Sequence, residues 1–259
     1  MVRQQYSAQY PRRFRWGTDV NVLASDTAMV MAAGLGKRMR PLTATQPKPM
    51  VRVAGKALID HTLDRLAEAG VARAVVNVHY LADPLEAHIK DRATPSVTIS
   101  DERDLLLETG GGMLKAYRAG LLPDPFFCLN ADNIWLDGPR NAFVEMTELW
   151  KPEEMDALLL VVPHARAANF SGLGDFHMDP CGRLTRRRPG RIAPFIYTGI
   201  QIVSHRLLRE APEGRFGTMV LWERAIAEGR LFGATFTGQW FEVGTPQAIR
   251  PTEAVLTGA

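Results

Sequence analysis

The chain predicts one α/β domain of three layers, with a mixed, mostly parallel sheet between helices and a small antiparallel flap. Short apolar runs alternate with amphipathic helical runs through the first half, and a glycine-rich turn follows the first of these runs at once. The second half changes to paired β-segments separated by turn residues. Strands alternating with helices imply right-handed crossovers and a sheet covered on both faces.

The elements follow in order. Residues 29–33 are an apolar strand ahead of the glycine turn. In LIDHTLDRLAEAG, Ile59, Leu63, Leu66 and Ala67 fall on one helical face and Gly70 is the stop. RAVVNV (73–78) is a strand, and ADPLEAHIK is a helix with Asp83 as N-cap and Pro84 at its first position. SVTIS is another strand, the glycines at 110–112 open the helix MLKAYRAG, and PFFCLN (125–130) is a buried strand. DALLLVV (156–162) continues the sheet, whereas GLGDFHMDPCGRLTRRRPGR reads as hairpins, the antiparallel flap. FIYTGIQIV is strongly β, TMVLWERAIAEG is helical, and RLFGATF and QWFEVG are short strands. Thr245 caps a final helix that begins at Pro246.

The totals bound the function classes. At 259 residues the chain buries a sizeable core, and 46% apolar with 23% charged residues is ordinary for a globular protein. A net charge of +3 does not argue for nucleic acid, so an anion site must come from local placement. Arg186, Arg187 and Arg188 adjoin Pro189-Gly190 and read as a solvated loop. The two cysteines, Cys128 and Cys181, make no disulfide framework or metal spacing and read as reduced thiols in a cytoplasmic protein. The six histidines, at 61, 79, 88, 164, 177 and 205, show no paired metal spacing either. No apolar run approaches the roughly 20 residues of a membrane span. Residues 1–28, with four arginines and no acid before Asp19, read as an N-terminal extension. It is either an arm whose Tyr6, Tyr10, Phe14 and Trp16 pack on the domain or a sister subunit, or a tail without a role. The domain proper is then 29–259.

The stretch MVMAAGLGKRMRPLTATQPKPM (29–50) carries the chemistry. It places a glycine turn at the carboxyl end of a strand, where open α/β sheets bind ligands. Gly34 and Gly36 let the backbone approach an anion, and Lys37, Arg38, Arg40 and Lys48 supply positive charge. A phosphate chain fits this pattern. The Walker loop does not, because Arg38 stands where Ser or Thr is needed, and a dinucleotide fingerprint would need glycine at Met39.

AAGLGKRMRPLT with PKP resembles the phosphate-loop pattern of the sugar-1-phosphate nucleotidyltransferases. ETGGG (108–112), NAD (130–132), YTGI (197–200) and WFEVGT (240–245) extend the resemblance through most of the chain. Their order and spacing are most similar to the short bacterial N-acetylmuramate-1-phosphate uridylyltransferases. Mannose-1-phosphate guanylyltransferases and glucose-1-phosphate uridylyl- or thymidylyltransferases are looser matches. The resemblance implies a Rossmann-like nucleotidyltransferase domain. It also implies attack of a sugar 1-phosphate on the α-phosphorus of a nucleoside triphosphate, UTP first among them, with release of pyrophosphate.

Such a reaction brings anions together, and two unit charges at 4 Å repel by about 4 kcal/mol at an effective dielectric near 20. Charge neutralisation and in-line positioning must therefore do most of the work. The fork of Arg38 suits the leaving pyrophosphate. Lys48, on a loop stiffened by prolines, suits the α-phosphate or the attacking phosphate, and Ala33, Gly34, Gly36 and Lys37 suit the triphosphate. The resemblance makes Asp132 a ligand of Mg²⁺. Ala131 replaces the usual glycine before it. Glu242 stands at the second family carboxylate, where Asp is usual; it binds the metal directly or through water, or the site holds one tight metal. Glu108, Thr109 and Gly110 fall beside the nucleotide, and Asn130, Asp175, Thr198 and Glu242 on the sugar side. No histidine base is needed, since the attacking phosphate is already deprotonated. A nucleotide-sugar sensor without turnover is the alternative from another class, and the chain is expected to be a monomer or homodimer.

Overall fold

In the computed structural model, which describes residues 22–168 and 170–258, strand β1 (Thr27–Met31) leads into the glycine turn. A two-stranded ribbon, β2 (Arg52–Val53) and β3 (Lys56–Ala57), precedes α1 (Leu58–Ala69), β4 (Arg73–Val78), α2 (Ala82–Ile89) and β5 (Ser96–Asp101). Then come α3 (Glu108–Arg118), β6 (Phe126–Asn130), β7 (Asn133–Leu136), α4 (Ala142–Leu149), β8 (Ala157–Pro163) and β9 (Ala167–Ala168). The hairpin β10 (Phe176–Met178) and β11 (Leu184–Arg186) is followed by the long β12 (Phe195–Val203). Helices α5 (His205–Leu208) and α6 (Met219–Ala227), strands β13 (Leu231–Thr235) and β14 (Gln239–Glu242), and α7 (Ile249–Thr257) complete the described chain.

The main sheet runs β11-β10-β12-β6-β1-β4-β5, with β8 beside β12 and β13 beside β8. Its centre, β6-β1-β4-β5, is parallel, and β12 enters antiparallel to both β6 and β8. The three layers follow from the period of two along each strand. Ala28 and Val30 of β1, Phe127 and Leu129 of β6, and Leu158 and Leu160 of β8 pack with α1, α2 and α4 on one face. Met29, Phe126, Cys128, Leu159 and Val161 pack with α3, α5 and α6 on the other. A third apolar cluster, including Met39, Val53, Ile134, Phe241 and Val243, underlies the small sheet β7-β14-β9 beside the glycine turn.

Several expected boundaries move, each for a local reason. The first strand lies two residues earlier than 29–33, because its ladder with β4 begins at Thr27–Arg73. Asp83 is not the N-cap of α2: Leu81, at φ 48, takes that place, and Asp83 lies in the first turn facing Arg103 at 2.7 Å. The glycines 110–112 lie inside α3, not ahead of it. Thr245 precedes a 3₁₀ turn at Pro246–Ala248 with no side-chain cap bond, and the α-helix starts at Ile249. In α1, Thr62 is buried and Ala67 half-buried. The flap hairpin β10–β11 is continuous with the main sheet through Phe176–Phe195. The arm proposed for the N-terminus falls mostly on residues 1–21, outside the described residues.

Candidate active site

Three parallel strands run out side by side at one edge of the sheet. Met31 of β1 pairs with Asn77 of β4 on one side and Asn130 of β6 on the other. The segments beyond these residues therefore emerge together at one sheet edge. Asn77 Oδ1 accepts the N–H of Ala32 at 2.6 Å and of Ala33 at 3.3 Å, which fixes the start of the glycine turn. Its amide donates to Glu102 Oε1 at 2.8 Å, and the other oxygen of Glu102 accepts the Leu107 N–H at 3.2 Å. Glu102 is 1% exposed, and burial raises its pKa above the ordinary glutamate value.

The turn itself is anchored from below. Gly36 has φ 60, a left-handed conformation, and its carbonyl accepts the Thr43 hydroxyl at 2.8 Å. The following 3₁₀ turn, Lys37–Met39, buries Met39 and leaves the two cations outside. A second 3₁₀ turn, Lys48–Met50, starts after Pro47 and buries Pro49. A Cβ on Gly34 would meet nothing within 4 Å, so a ligand can approach this backbone closely.

Two ion pairs cross the cleft. Lys48 Nζ bonds Asp132 Oδ2, and Arg38 Nη1 lies 3.1 Å from Glu242 Oε1. Asp132 lies in the turn from β6 to β7, just past the strand end expected to carry it. Antiparallel pairing of Glu242 with Asn133 puts the two carboxylates at one corner. Gly244 leaves room for the outer pair, since a Cβ there would come 3.0 Å from Arg38 Nη1. Lys48 is the buried member, with a side chain 13% exposed against 67% for Arg38.

Three cavities meet at Asp132. One of about 380 Å³ is lined by Ala32, Ala33, Gly34, Lys48, Asn77 and Glu108 among others; it also borders Thr109 and Asn130. A second, about 410 Å³, follows the turn from Gly34 to Met39 and includes Arg215. The third, about 220 Å³, collects Asn130, Asn133, Asp175, Thr198, Trp240 and Glu242. Asp132 lines all three, and Arg38 lines the second and third.

The start of α3 shows a packing role for its glycines. A Cβ on Gly110 would stand 2.4 Å from the Phe216 ring, and one on Gly112 2.7 Å from Glu102. The N–H groups of Gly110 and Gly111 both donate to Phe216 O at 3.0 Å, so Gly110 faces the protein and not the cleft. Glu108, at φ 62, accepts Arg215 Nε at 2.8 Å, and the Thr109 hydroxyl accepts the Thr218 N–H at 3.0 Å.

On the third cavity, Asp175 Oδ2 accepts the Tyr197 N–H at 2.9 Å, and burial raises the Asp175 pKa. Thr198 is reached through a bulge in β12, whose register with β8 shifts between Tyr197 and Gln201. Its hydroxyl donates to Leu160 O at 2.9 Å, and its own carbonyl accepts Trp240 Nε1 at 3.0 Å. Sequence reasoning missed Asn77, Arg215 and Asn133. Asn77 had a signal, a polar residue inside an apolar strand; Arg215 and Asn133 had none. Cys128 is buried, its thiol pushed up to about 12 by desolvation, and Cys181 is exposed on the far hairpin.

Residues 27–179 match the nucleotidyl transferase family. The chain is 44% identical over 240 residues to the N-acetylmuramate alpha-1-phosphate uridylyltransferase of Caulobacter vibrioides, covering 91% of this chain and 99% of the relative. It is 34% identical to the protein of the same description from Neisseria meningitidis serogroup B, covering 90% of this chain and 98% of that one. The solved structure of the inositol-1-phosphate CTP transferase from T. maritima superposes with a TM-score of 0.73 at 17% identity, covering 91% and 96% of the two chains; it shares the fold. The chain belongs to the nucleotidyl transferase family.

Proposed function

We propose that this nucleotidyltransferase joins UTP to N-acetylmuramate 1-phosphate, releasing pyrophosphate and forming a uridine diphosphate sugar for cell-wall recycling. One observation carries the reading: cations and carboxylates converge in crossed pairs where three cavities meet. The two uridylyltransferase relatives, each matched over nearly its whole length, support the choice of base and sugar.

In the proposed reaction an oxygen of the sugar phosphate bonds to the α-phosphorus, and the bond from that phosphorus to the bridging oxygen breaks. The electron pair leaves with pyrophosphate. Arg38, exposed at the mouth of the glycine turn, holds the leaving oxygens with its fork. Lys48 lines the first two cavities and bonds Asp132, which lines all three, so its charge offsets that of the α-phosphate as the attacking anion approaches. The open backbone at Gly34 admits the nucleotide, while the Asn77–Glu102 bonds hold the turn against movement. Residues 29–259 constitute the catalytic unit in this reading, with 1–28 as an extension.

The donor set fits a magnesium ion. Among the described residues no cluster of three or more His, Cys, Asp or Glu side chains would hold a metal by itself. Asp132 and Glu242 supply two carboxylates at one corner, and Mg²⁺ is usually held by one or two carboxylates plus substrate phosphates and water. When bound, such an ion draws off negative charge from the phosphate oxygens. Each of these carboxylates stands beside a cation, Asp132 beside Lys48 and Glu242 beside Arg38.

Pyrophosphate release across a panel of nucleoside triphosphates and sugar 1-phosphates, with and without Mg²⁺, tests the reading. Turnover is expected with UTP and N-acetylmuramate 1-phosphate and only with Mg²⁺. Release from GTP and mannose 1-phosphate instead would replace the substrates and keep the reaction, and silence in every combination would leave a sensor.

A further inference from the structure

The second cavity, which follows the glycine turn, carries a cation that the reaction as described leaves unused. Lys37, Arg38 and Lys48 line it from the glycine turn and the segment after it, whereas Arg215 lines it with Leu106 and Glu108 from the α3 side. Of the three cavities that meet at Asp132, Arg215 borders this one alone. Its side chain is 58% exposed, so a molecule in the cavity reaches it.

The chain is built to hold Arg215 there. A Cβ on Gly111 would stand 2.4 Å from Gly214 O and one on Gly110 2.4 Å from the Phe216 ring. A side chain at either position would keep residues 214–216 off the helix. The Phe216 N–H donates to Leu107 O at 3.1 Å, and Arg118 grips both carboxylate oxygens of Glu213 at 2.6 Å. With both flanks fastened, Glu108 Oε1 takes Nε of Arg215 at 2.8 Å and Nη2 at 2.7 Å. Nη1 has no acceptor among the described residues. Glu108 thus orients one edge of the fork and leaves the rest for a ligand.

We propose that Arg215 binds the β- and γ-phosphates of the nucleoside triphosphate, the part that leaves as pyrophosphate, from the side opposite the glycine turn. Arginine suits this place because its planar fork takes two phosphate oxygens at once. Cations on one side alone draw the leaving group toward themselves, whereas in-line displacement needs it fixed from both. This rests on the nucleotidyl-transfer reading above and adds a residue to its leaving-group side.

The test measures binding of inorganic pyrophosphate, UTP and UMP to the full chain by calorimetry with Mg²⁺, for wild type, Arg215→Ala and Arg215→Lys. Arg215→Ala should weaken pyrophosphate and UTP about tenfold, as loss of a charged hydrogen bond does, and leave UMP within about twofold. Arg215→Lys, which keeps the charge without the fork, should recover part of the loss. KM for the sugar phosphate should stay within about twofold. Equal losses on UTP and UMP would overturn the proposal by showing that Arg215 only secures the start of α3. Unchanged affinity for pyrophosphate in Arg215→Ala, or a wild type that binds neither pyrophosphate nor UTP, would overturn it outright. A wild type that binds pyrophosphate yet turns over no sugar phosphate would instead reject the substrates proposed above, and the pyrophosphate titrations would still decide the role of Arg215.

Discussion

Arg38 Nη1 lies 3.1 Å from Glu242 Oε1 although 204 positions separate them in the chain. The arrangement repeats deeper in the cleft, where Lys48 meets Asp132 across 84 positions. One pair joins the segment after the glycine turn to the end of β14, and the other joins the 3₁₀ turn at Lys48 to the turn between β6 and β7.

The outer pair contributes little to folding, because Arg38 is two-thirds exposed and such pairs are worth about 0–1 kcal/mol. Arg38→Ala should therefore shift the melting temperature by no more than about 3 °C. It should raise KM for the nucleoside triphosphate about tenfold or more, as a lost charged hydrogen bond does. Thermal melts alongside steady-state kinetics check both halves; a large loss of stability with unchanged KM would contradict the role of Arg38.

Asp132→Asn keeps the side-chain shape and an oxygen for Lys48 but removes the charge. Turnover should fall by about 10²-fold or more, and its dependence on Mg²⁺ concentration should shift to higher metal. A rate near that of wild type, measured by pyrophosphate release, would remove Asp132 from the reaction.

Gly110→Ala tests whether the glycines of α3 serve packing. The added methyl would meet the Phe216 ring at 2.4 Å, and overpacking of this kind costs about 1–3 kcal/mol. Urea denaturation should show that loss, and nucleotide affinity should weaken as the 214–218 segment shifts. Unchanged stability would mean that Phe216 moves aside freely.

Glu102 provides the pH dependence. Its folded pKa is raised by burial above the ordinary value of 4.5, so the folded state holds its proton more tightly than the unfolded chain does. Its contribution to stability is full below that value and is lost as pH rises through the folded pKa. Glu102→Gln keeps an acceptor for Asn77 but loses one for the Leu107 N–H, so the variant starts weaker. The deficit should narrow as pH rises from about 4.5, and parallel denaturation curves at several pH values would show it. A constant deficit would place the carboxyl's titration elsewhere.

Much of the fold was legible because periodicity is a local property. β4 was read at its full length, 73–78, and the three apolar positions of α1 at 59, 63 and 66 do face the core. The boundaries that moved depend on neighbours. The start of α2 hinges on Leu81 in a left-handed conformation, and glycines 110–112 were read as opening a helix because Phe216 and Glu102, against which they pack inside α3, lie elsewhere in the chain. Thr198 was read as a sugar contact, and its hydroxyl is turned to Leu160 by a bulge that no sequence pattern announces.

The sequence by itself determined the alternation of strands and helices, the glycine turn with its cations, and the order of the acidic residues Asp132 and Glu242 along the chain. These are properties of short segments, set by side-chain period and residue chemistry. Only the tertiary structure decided that Met31 stands between Asn77 and Asn130 in the sheet. It also decided that Arg38 faces Glu242, and that Asn133 carries an unpartnered amide over Gly199. Those relationships join segments distant in the chain, and their geometry is fixed by sheet register and packing, which no single segment contains.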